Sequence, residues 1–356
     1  MALSLTVDIN DKKYFSCDFP KLVISSSSSY ANFELEVNGI TALSTRYYMV
    51  SGRATVYSLA SCIQLEMEKQ YSAYSTVVIK LSAGSETQEY SCKVLMCKVR
   101  CMALSVDQFL TNSFLTTSAY HLTTMHNSEV LPFYIEGSGN YAIVRLDITA
   151  TVRLSDGSVR QHQYSNSRRI GYGIAEATVS AKDIQAYCTT ALGQCQLLSF
   201  SIAYQSRFIH FYVVPCASAQ EFRFKNNFGC SEAVGLPAAT ISKLESEFSE
   251  AMVDGKLQHY DTHHTRTYEV QTSQLLSGYM TWLEQFLTSS SIMRRLPNGM
   301  FADVLISEYT FEQTDAPGEE NTLSFTWQFT DGRETPHRYA LPEGGIFTNP
   351  FNETFV

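Results

Sequence analysis

Between Tyr141 and Leu154 the chain alternates with a period of two. Ala142, Val144, Leu146, Ile148, Ala150, Val152 and Leu154 fall on one side, and Tyr141, Ile143, Arg145, Asp147, Thr149, Thr151 and Arg153 on the other. Successive side chains of a strand point to opposite faces, so this pattern specifies a long β-strand with one wet face. Asp156-Gly157 follows directly and supplies a hairpin turn with Gly157 at its special backbone position. The same alternation recurs in Leu3 to Ile9, Phe33 to Val37, Ile63 to Met67, Val77 to Leu81, Tyr90 to Met96, Leu198 to Tyr204 and Leu323 to Phe329. A strong 3.6-residue period occurs once, in Leu275, Leu276, Tyr279, Met280, Leu283, Phe286 and Leu287. These patterns predict a mainly β protein of antiparallel sandwich- or barrel-like domains. One principal helix, over 273–289, packs its stripe on a C-terminal sheet.

At 356 residues the chain is too long for one small domain. Three segments follow from the patterning: an all-β domain over 1–105, a second β domain over 106–215, and a C-terminal β domain with the helix over 216–356. Val106, Phe109, Leu110 and Phe114 predict a short helix after the first boundary, and Ser180 with Asp183 predicts a capped one later. Ile241, Leu244, Phe248 and Met252 are spaced as an exposed helical face. Phe208 to Val214, apolar on both faces except for His210, predicts a central strand. Gly229 and Gly332 are read with Gly157 as turn glycines, and the Pro- and Gly-rich stretch after residue 335 excludes a long regular element.

The net charge is -9, and Arg168-Arg169 and Arg294-Arg295 are isolated basic pairs, which argues against direct nucleic-acid recognition. No stretch approaches the apolar length of a membrane helix, and the first residues read as a strand, with no signal peptide. Charged residues make up only 17%, leaving a polar, aromatic surface suited to meeting other subunits. The nine cysteines are an odd number at irregular spacing, which fits buried thiols rather than a complete set of disulfides.

No residue set specifies catalysis. His259, His263 and His264, with Asp261 between them, have spacings a zinc site uses, but the segment lacks a helical apolar pattern and a third ligand. Cys92, Cys97 and Cys101 lack Cys-x-x-Cys pairs, and Cys188 and Cys195 read as core. Neither a P-loop, a dinucleotide fingerprint nor a Gly-x-Ser-x-Gly elbow is present. No metal and no cofactor is therefore expected. Tyr47, Tyr48, Tyr57, Tyr71 and Tyr74 cluster in the first segment, as a sugar platform or interface patch would, although core packing explains them equally. A hydrolase using a pair of carboxylates from distant strands is a further alternative, with nothing to select the pair.

Phe211-Tyr212-Val213-Val214 is followed by Phe222-Arg223-Phe224-Lys225-Asn226-Asn227-Phe228-Gly229-Cys230, then by Thr267-Tyr268-Glu269-Val270. Next come Trp282-Leu283-Glu284-Gln285-Phe286-Leu287, Ser290, Val304-Leu305-Ile306 and Phe325-Thr326-Trp327-Gln328-Phe329. Over residues 208–330 this order resembles structural tail and baseplate proteins of Bacteroidetes-type phages and prophages. It departs from them at Cys230 and Ser231, where such proteins place small residues or glycine. The resemblance implies tail-tube-like second and third domains and a non-enzymatic part that works by self-association and contacts to other tail proteins. It also implies assembly in the host cytoplasm, then a place in the virion tail. A carbohydrate- or cell-surface-binding β-sandwich module is the alternative from a different class.

Overall fold

The computed structural model describes residues 2–99, 104–215, 219–272, 275, 277–296, 298–313 and 321–330. The chain is mainly β, with several antiparallel sheets and four helices among the described residues. Buried apolar residues collect in three large clusters, joined by a fourth, smaller one.

The first cluster lies between two sheets. Its strands are β1 (Ser4–Leu5), β2 (Lys13–Phe15), β3 (Leu22–Ser25), β4 (Tyr30–Val37), β5 (Ile40–Tyr48), β6 (Arg53–Val56), β7 (Tyr74–Ala83) and β8 (Glu86–Leu95). They form a five-stranded sheet in the order β2-β8-β7-β4-β5 and a three-stranded sheet in the order β1-β3-β6. Asn38-Gly39 turns β4 into β5 with both residues at positive φ, as a two-residue type I′ hairpin requires. Helix α1 (Leu59–Lys69) closes one side, and here the sequence pattern misleads. Ile63, Leu65 and Met67 alternate like a strand, yet they lie on a helix. Leu59, Ile63, Glu66 and Met67 are buried, whereas Leu65 is 55% exposed. Ile63 and Met67 are four residues apart, a spacing that puts both on one side of either element.

Helix α2 (Val106–Asn112) begins with a full capping box: Ser105 accepts from the Gln108 backbone, and the Gln108 side chain accepts from Ser105 N–H. The second cluster follows. It uses β9 (Tyr120–Thr123), β10 (Ser128–Ile135), β11 (Ala142–Leu154), β12 (Val159–Ile170), β13 (Gly173–Ser180), α3 (Ala181–Leu192), β14 (Cys195–Tyr204) and β15 (Arg207–Val213). A five-stranded sheet in the order β12-β11-β14-β15-β9 faces the β10-β13 pair. β11 buries Val144, Leu146, Ile148, Ala150 and Val152, the alternating set that predicted it. β15 is a central strand, paired with β14 on one side and β9 on the other. Ser180 caps α3 through Asp183 N–H.

The third cluster fills a closed six-stranded barrel in the order β16-β17-β18-β21-β20-β19. Its strands are β16 (Ala219–Lys225), β17 (Ser231–Val253), β18 (Lys256–Thr272), β19 (Ile292–Arg295), β20 (Phe301–Glu312) and β21 (Thr322–Phe329). Helix α4 (Ser277–Leu287) is the helix expected from the 3.6-residue stripe. Phe286 sits 5.3 to 5.6 Å, ring to ring, from Phe222, Phe224 and Phe325. On the other side of α4 lies β9: the His121 ring lies 4.3 Å from Trp282, and the Tyr120 hydroxyl occupies the space that a Cβ at Gly278 would need. The helix is thus held between the barrel and the second cluster. Ile241, Leu244, Phe248 and Met252 are not on a helix but on β17, the longest strand among the described residues. Gly332 and the following Pro- and Gly-rich stretch lie outside the described residues.

Candidate interaction surface

β17 and β18 pair continuously from Ala238↔Thr272 to Val253↔Lys256, with one irregularity beside Ser249. Asp254-Gly255 closes the hairpin, both residues at positive φ. The base of this ribbon belongs to the barrel. β16 pairs with β17 only as far as Pro237, and β21 pairs with β18 only from Tyr268 to Gln271. Beyond those points, among the described residues, neither outer edge of the ribbon has a strand partner. At about 3.3 Å per residue the two-stranded part extends roughly 40 Å from the barrel.

The two faces of the ribbon differ. One continues the interior face of the barrel: Val234, Leu236 and Ala238 are buried, and Tyr268 stacks on Trp327 at 4.2 Å. Further out this face carries Leu244, Phe248, Met252 and Leu257, which are 50 to 67% exposed. The Phe248 ring lies 4.8 Å from His259 and 6.3 Å from His264. His264 Nδ1 shares a 2.8 Å hydrogen bond with the Ser246 hydroxyl, and His259 Nδ1 is 3.5 Å from a Glu250 carboxylate oxygen. The opposite face carries Ile241, Lys243, Glu245 and Glu247. There Lys243 and Glu269 form a 2.7 Å ion pair, which raises the lysine and lowers the carboxylate from their ordinary values through their hydrogen bond. An isolated two-stranded ribbon is marginally stable in water, and one with open edges and exposed apolar side chains is a pairing template.

The residues singled out from sequence are dispersed. His259 and His264 share a face, but each is engaged with its own cross-strand neighbour, while the backbone of His263 is in register with Glu247. Asp261 pairs with Ser249. Among the described residues no group of three His, Cys, Asp or Glu is placed to hold a metal ion. Cys92 and Cys97 are buried thiols pushed up to about 12, and Cys188 to about 11, all by burial. Cys195 is half-buried at the start of β14, and Cys101 lies outside the described residues. Tyr47 packs edge-on against Phe33 at 5.8 Å, and Tyr74 against Tyr134 at 5.3 Å, where burial raises its hydroxyl. Tyr48, Tyr57 and Tyr71 are 66 to 84% exposed. As neighbours on β5, Tyr47 and Tyr48 point to opposite faces, so the five tyrosines do not form one platform.

Gly157 and Gly229 both adopt positive φ in turns, at +83° and +70°. The second turn carries more than its glycine. Asn226 is buried, its Oδ1 accepts from the N–H groups of Phe228 and Cys230, and its Nδ2 donates to Leu115 O. This holds Phe228 against Phe109 in the fourth cluster, where the three larger ones meet.

A buried polar seam joins the second cluster to the barrel. Glu129 on β10 accepts from Thr123 Oγ1 at 2.5 Å, and Glu232 on β17 accepts from Trp282 Nε1 at 2.9 Å. Burial pushes these carboxyls up to about 8 and about 7, and the His121 imidazole down to about 3. Both acids are at most 2% exposed. Near them a cleft of about 390 Å³ is lined by Asn127, Glu221, Arg294 and Arg295, with Glu221 ion-paired to Arg295 at 2.7 Å. Sequence reasoning missed this seam. Its acids come from separate strands, and Glu129 and Glu232 each lie within otherwise apolar burial, a signal that emerges only once β10 and β17 are packed together.

No family model matches the chain, and no curated protein matches it. Solved structures similar to it include a crystal structure of CBD12 from CALX1.2, at 8% identity and TM-score 0.19, covering 57% of this chain and 79% of that one. A chimeric titin Z1Z2-Z1Z2 tandem carrying a GRGDS peptide from fibronectin is another, at 10% identity and TM-score 0.18, covering 60% of this chain and 100% of that one. Scores this low carry no argument about function. Among the described residues no helix is long and apolar enough to cross a membrane.

Proposed function

We propose that this chain is a non-enzymatic structural subunit of a phage tail or baseplate-like assembly, acting through self-association and contacts to other proteins of that assembly. The observation that carries the reading is the β17–β18 ribbon. It projects from a well-packed barrel, leaves both outer edges without strand partners among the described residues, and exposes large apolar side chains along one face. A monomer gains nothing from such an element, whereas an assembly buries it. The low charge content supports the same reading, since interfaces deplete charged residues at their centres. Against the hydrolase alternative stands the sealing of Glu129 and Glu232, the two carboxyls with clearly raised values among the described residues, away from solvent and substrate.

The test replaces residues 244–266 by a two-residue Asn-Gly turn, joining the register pair Lys243 and Thr267, and measures mass by light scattering, together with capture of proteins encoded beside this one. The shortened chain is expected to keep its fold and lose both self-association and capture. Undiminished association and capture by the shortened chain would refute the assignment to the ribbon.

A further inference from the structure

We infer that Cys17 and Cys97 form a modification site, a pair of thiols that a hydroperoxide closes into a disulfide, stapling the segment after β2 to the segment after β8. The inference stands apart from the ribbon and from the assembly reading.

The fold brings the two thiols together and holds them there. β2 pairs in parallel with β8, with Phe15 opposite Leu95. Two residues on, Cys17 lies in the single helical turn Ser16–Asp18, and Cys97 follows the end of β8. Ser16 locks these segments to each other. Its hydroxyl accepts from the Cys97 N–H at 2.9 Å and donates to the Cys97 carbonyl at 3.0 Å. The Gln64 amide, reaching over from α1, donates to both of those oxygens, at 3.1 and 3.0 Å. Both thiols then donate to one acceptor, Val99 O, Cys17 at 3.0 Å and Cys97 at 3.3 Å. Two sulfurs on one oxygen are neighbours, and each also meets the other directly. β2 and β8 run one strand spacing apart, about 4.8 Å, inside the Cα separation of about 4.4 to 6.8 Å that disulfides span. Closing the bond therefore asks the two side chains to turn from Val99 O toward each other, with the backbone already in place.

Exposure divides the roles. Cys17 is half-buried and within reach of a small oxidant, whereas Cys97 is wholly buried. Burial raises both thiols, but the neighbouring Cys97 thiol opposes the rise at Cys17, while Cys97 is pushed up to about 12. Cys17 is thus the thiol that ionises and reacts first. Its sulfur attacks one oxygen of hydrogen peroxide: an S–O bond forms, the O–O bond breaks, and the departing hydroxide takes up the proton that Cys17 released, as water. The Cys97 sulfur then attacks the sulfur of the Cys17 sulfenic acid. The S–S bond forms, the S–O bond breaks, and the hydroxide that leaves takes the Cys97 proton, as a second water. Two electrons pass from the sulfurs to the peroxide. The staple closes a loop of about 80 residues that carries most of the first cluster, and so restricts the unfolded chain.

Non-reducing peptide mapping of the full chain tests this. Protein freed of reductant is exposed to hydrogen peroxide, then blocked with N-ethylmaleimide in denaturant and digested. Sulfoxides at Met252 and Met300, which are 67 and 63% exposed, report that the oxidant has acted. A linked peptide pair containing Cys17 and Cys97, two hydrogens lighter than its separate halves, is expected before any other cysteine pair, and a reductant is expected to release it. Chain oxidised in urea is expected to lose this preference. In Cys97→Ser, dimedone is expected to trap Cys17 as its sulfenic acid; in Cys17→Ser, Cys97 is expected to be recovered as a blocked thiol. Recovery of Cys17 and Cys97 as blocked thiols from wild-type chain whose Met252 and Met300 are oxidised overturns the site. A link from Cys17 to any other cysteine overturns the pairing. Dimedone capture of Cys97 in Cys17→Ser as fast as that of Cys17 in Cys97→Ser overturns the order of reaction.

Discussion

Glu129 gives this protein an unusual dependence of stability on pH. Its carboxyl is buried among β9, β10 and α4, with Thr123 as hydrogen-bond donor, and burial raises it from 4.5 to about 8. Below pH 4.5 the group is protonated in both the folded and the unfolded chain and costs nothing. As pH rises, the unfolded chain releases its proton first, so folding must retain a proton that water would otherwise take, and stability falls. The loss begins near 4.5 and is complete above about 8, the reverse of the usual gain with pH from paired carboxylates. The separation is about 3.5 pH units, and at 1.36 kcal/mol per unit the full penalty is roughly 4 to 5 kcal/mol. Glu232, raised to about 7, adds a loss of the same sign over a narrower window. Glu129→Gln keeps the size and an acceptor for Thr123 but cannot ionise. The assay is urea unfolding of wild type and Glu129→Gln at intervals from pH 5 to pH 8.5. Relative to the wild type, the variant is expected to gain roughly 3 to 4 kcal/mol across that range, with unchanged m-values. A difference that stays constant with pH within about 0.5 kcal/mol would show that Glu129 does not titrate between the two states, and would refute the reasoning.

Two further substitutions probe the same joints. In Gly235→Ala the new Cβ would overlap Asn127 Nδ2, a side chain that is itself buried, so a loss of about 1 to 3 kcal/mol is expected in urea unfolding, with most of it recovered by adding Asn127→Ala. Asn226→Ala strips the acceptor from two buried N–H groups and the donor from Leu115 O; a loss of about 2 to 4 kcal/mol is expected by the same assay, and a loss under about 0.5 kcal/mol would refute the role given to this turn.

Much of the fold was legible because its strands are half-buried and alternate. β11 and β21 present one apolar face, and the residues that predicted them are the ones the cores bury. The stripe of α4 was equally plain, because no strand accounts for Tyr279, Met280, Leu283, Phe286 and Leu287 together. Errors arose where the spacing was four, which is both two strand repeats and about one helical turn. Ile63 and Met67 therefore suggested a strand in what is α1, and Leu244, Phe248 and Met252 suggested a helix in what is β17. The Asp254-Gly255 pair, a strong hairpin signal, marked the true alternative. Barrel closure through β16 and β19, whose paired residues Phe224 and Ile292 are far apart in sequence, left no local trace. The ribbon surface was hidden for the same reason, since its two faces exist only once β17 and β18 are in register.

The short strand β9 carries a consequence for how the chain is made. It is synthesised before every other strand of the second cluster's five-stranded sheet, yet among the described residues its only strand partner in that sheet is β15, with Tyr120 paired to His210 and Thr123 to Val213. Its other side presses on α4, later still, through Tyr120 and His121. On a ribosome, this segment waits without a partner until β15 emerges, and again until the helix does. Closing such long loops costs entropy before any contact rewards it, so docking of β9 is a late and slow event in maturation. During that interval its main-chain groups are open to water and to other chains. Nascent chains crowded on one message therefore risk exchanging β9 between copies, and dilution or rapid translation across residues 124–215 would favour the correct partner.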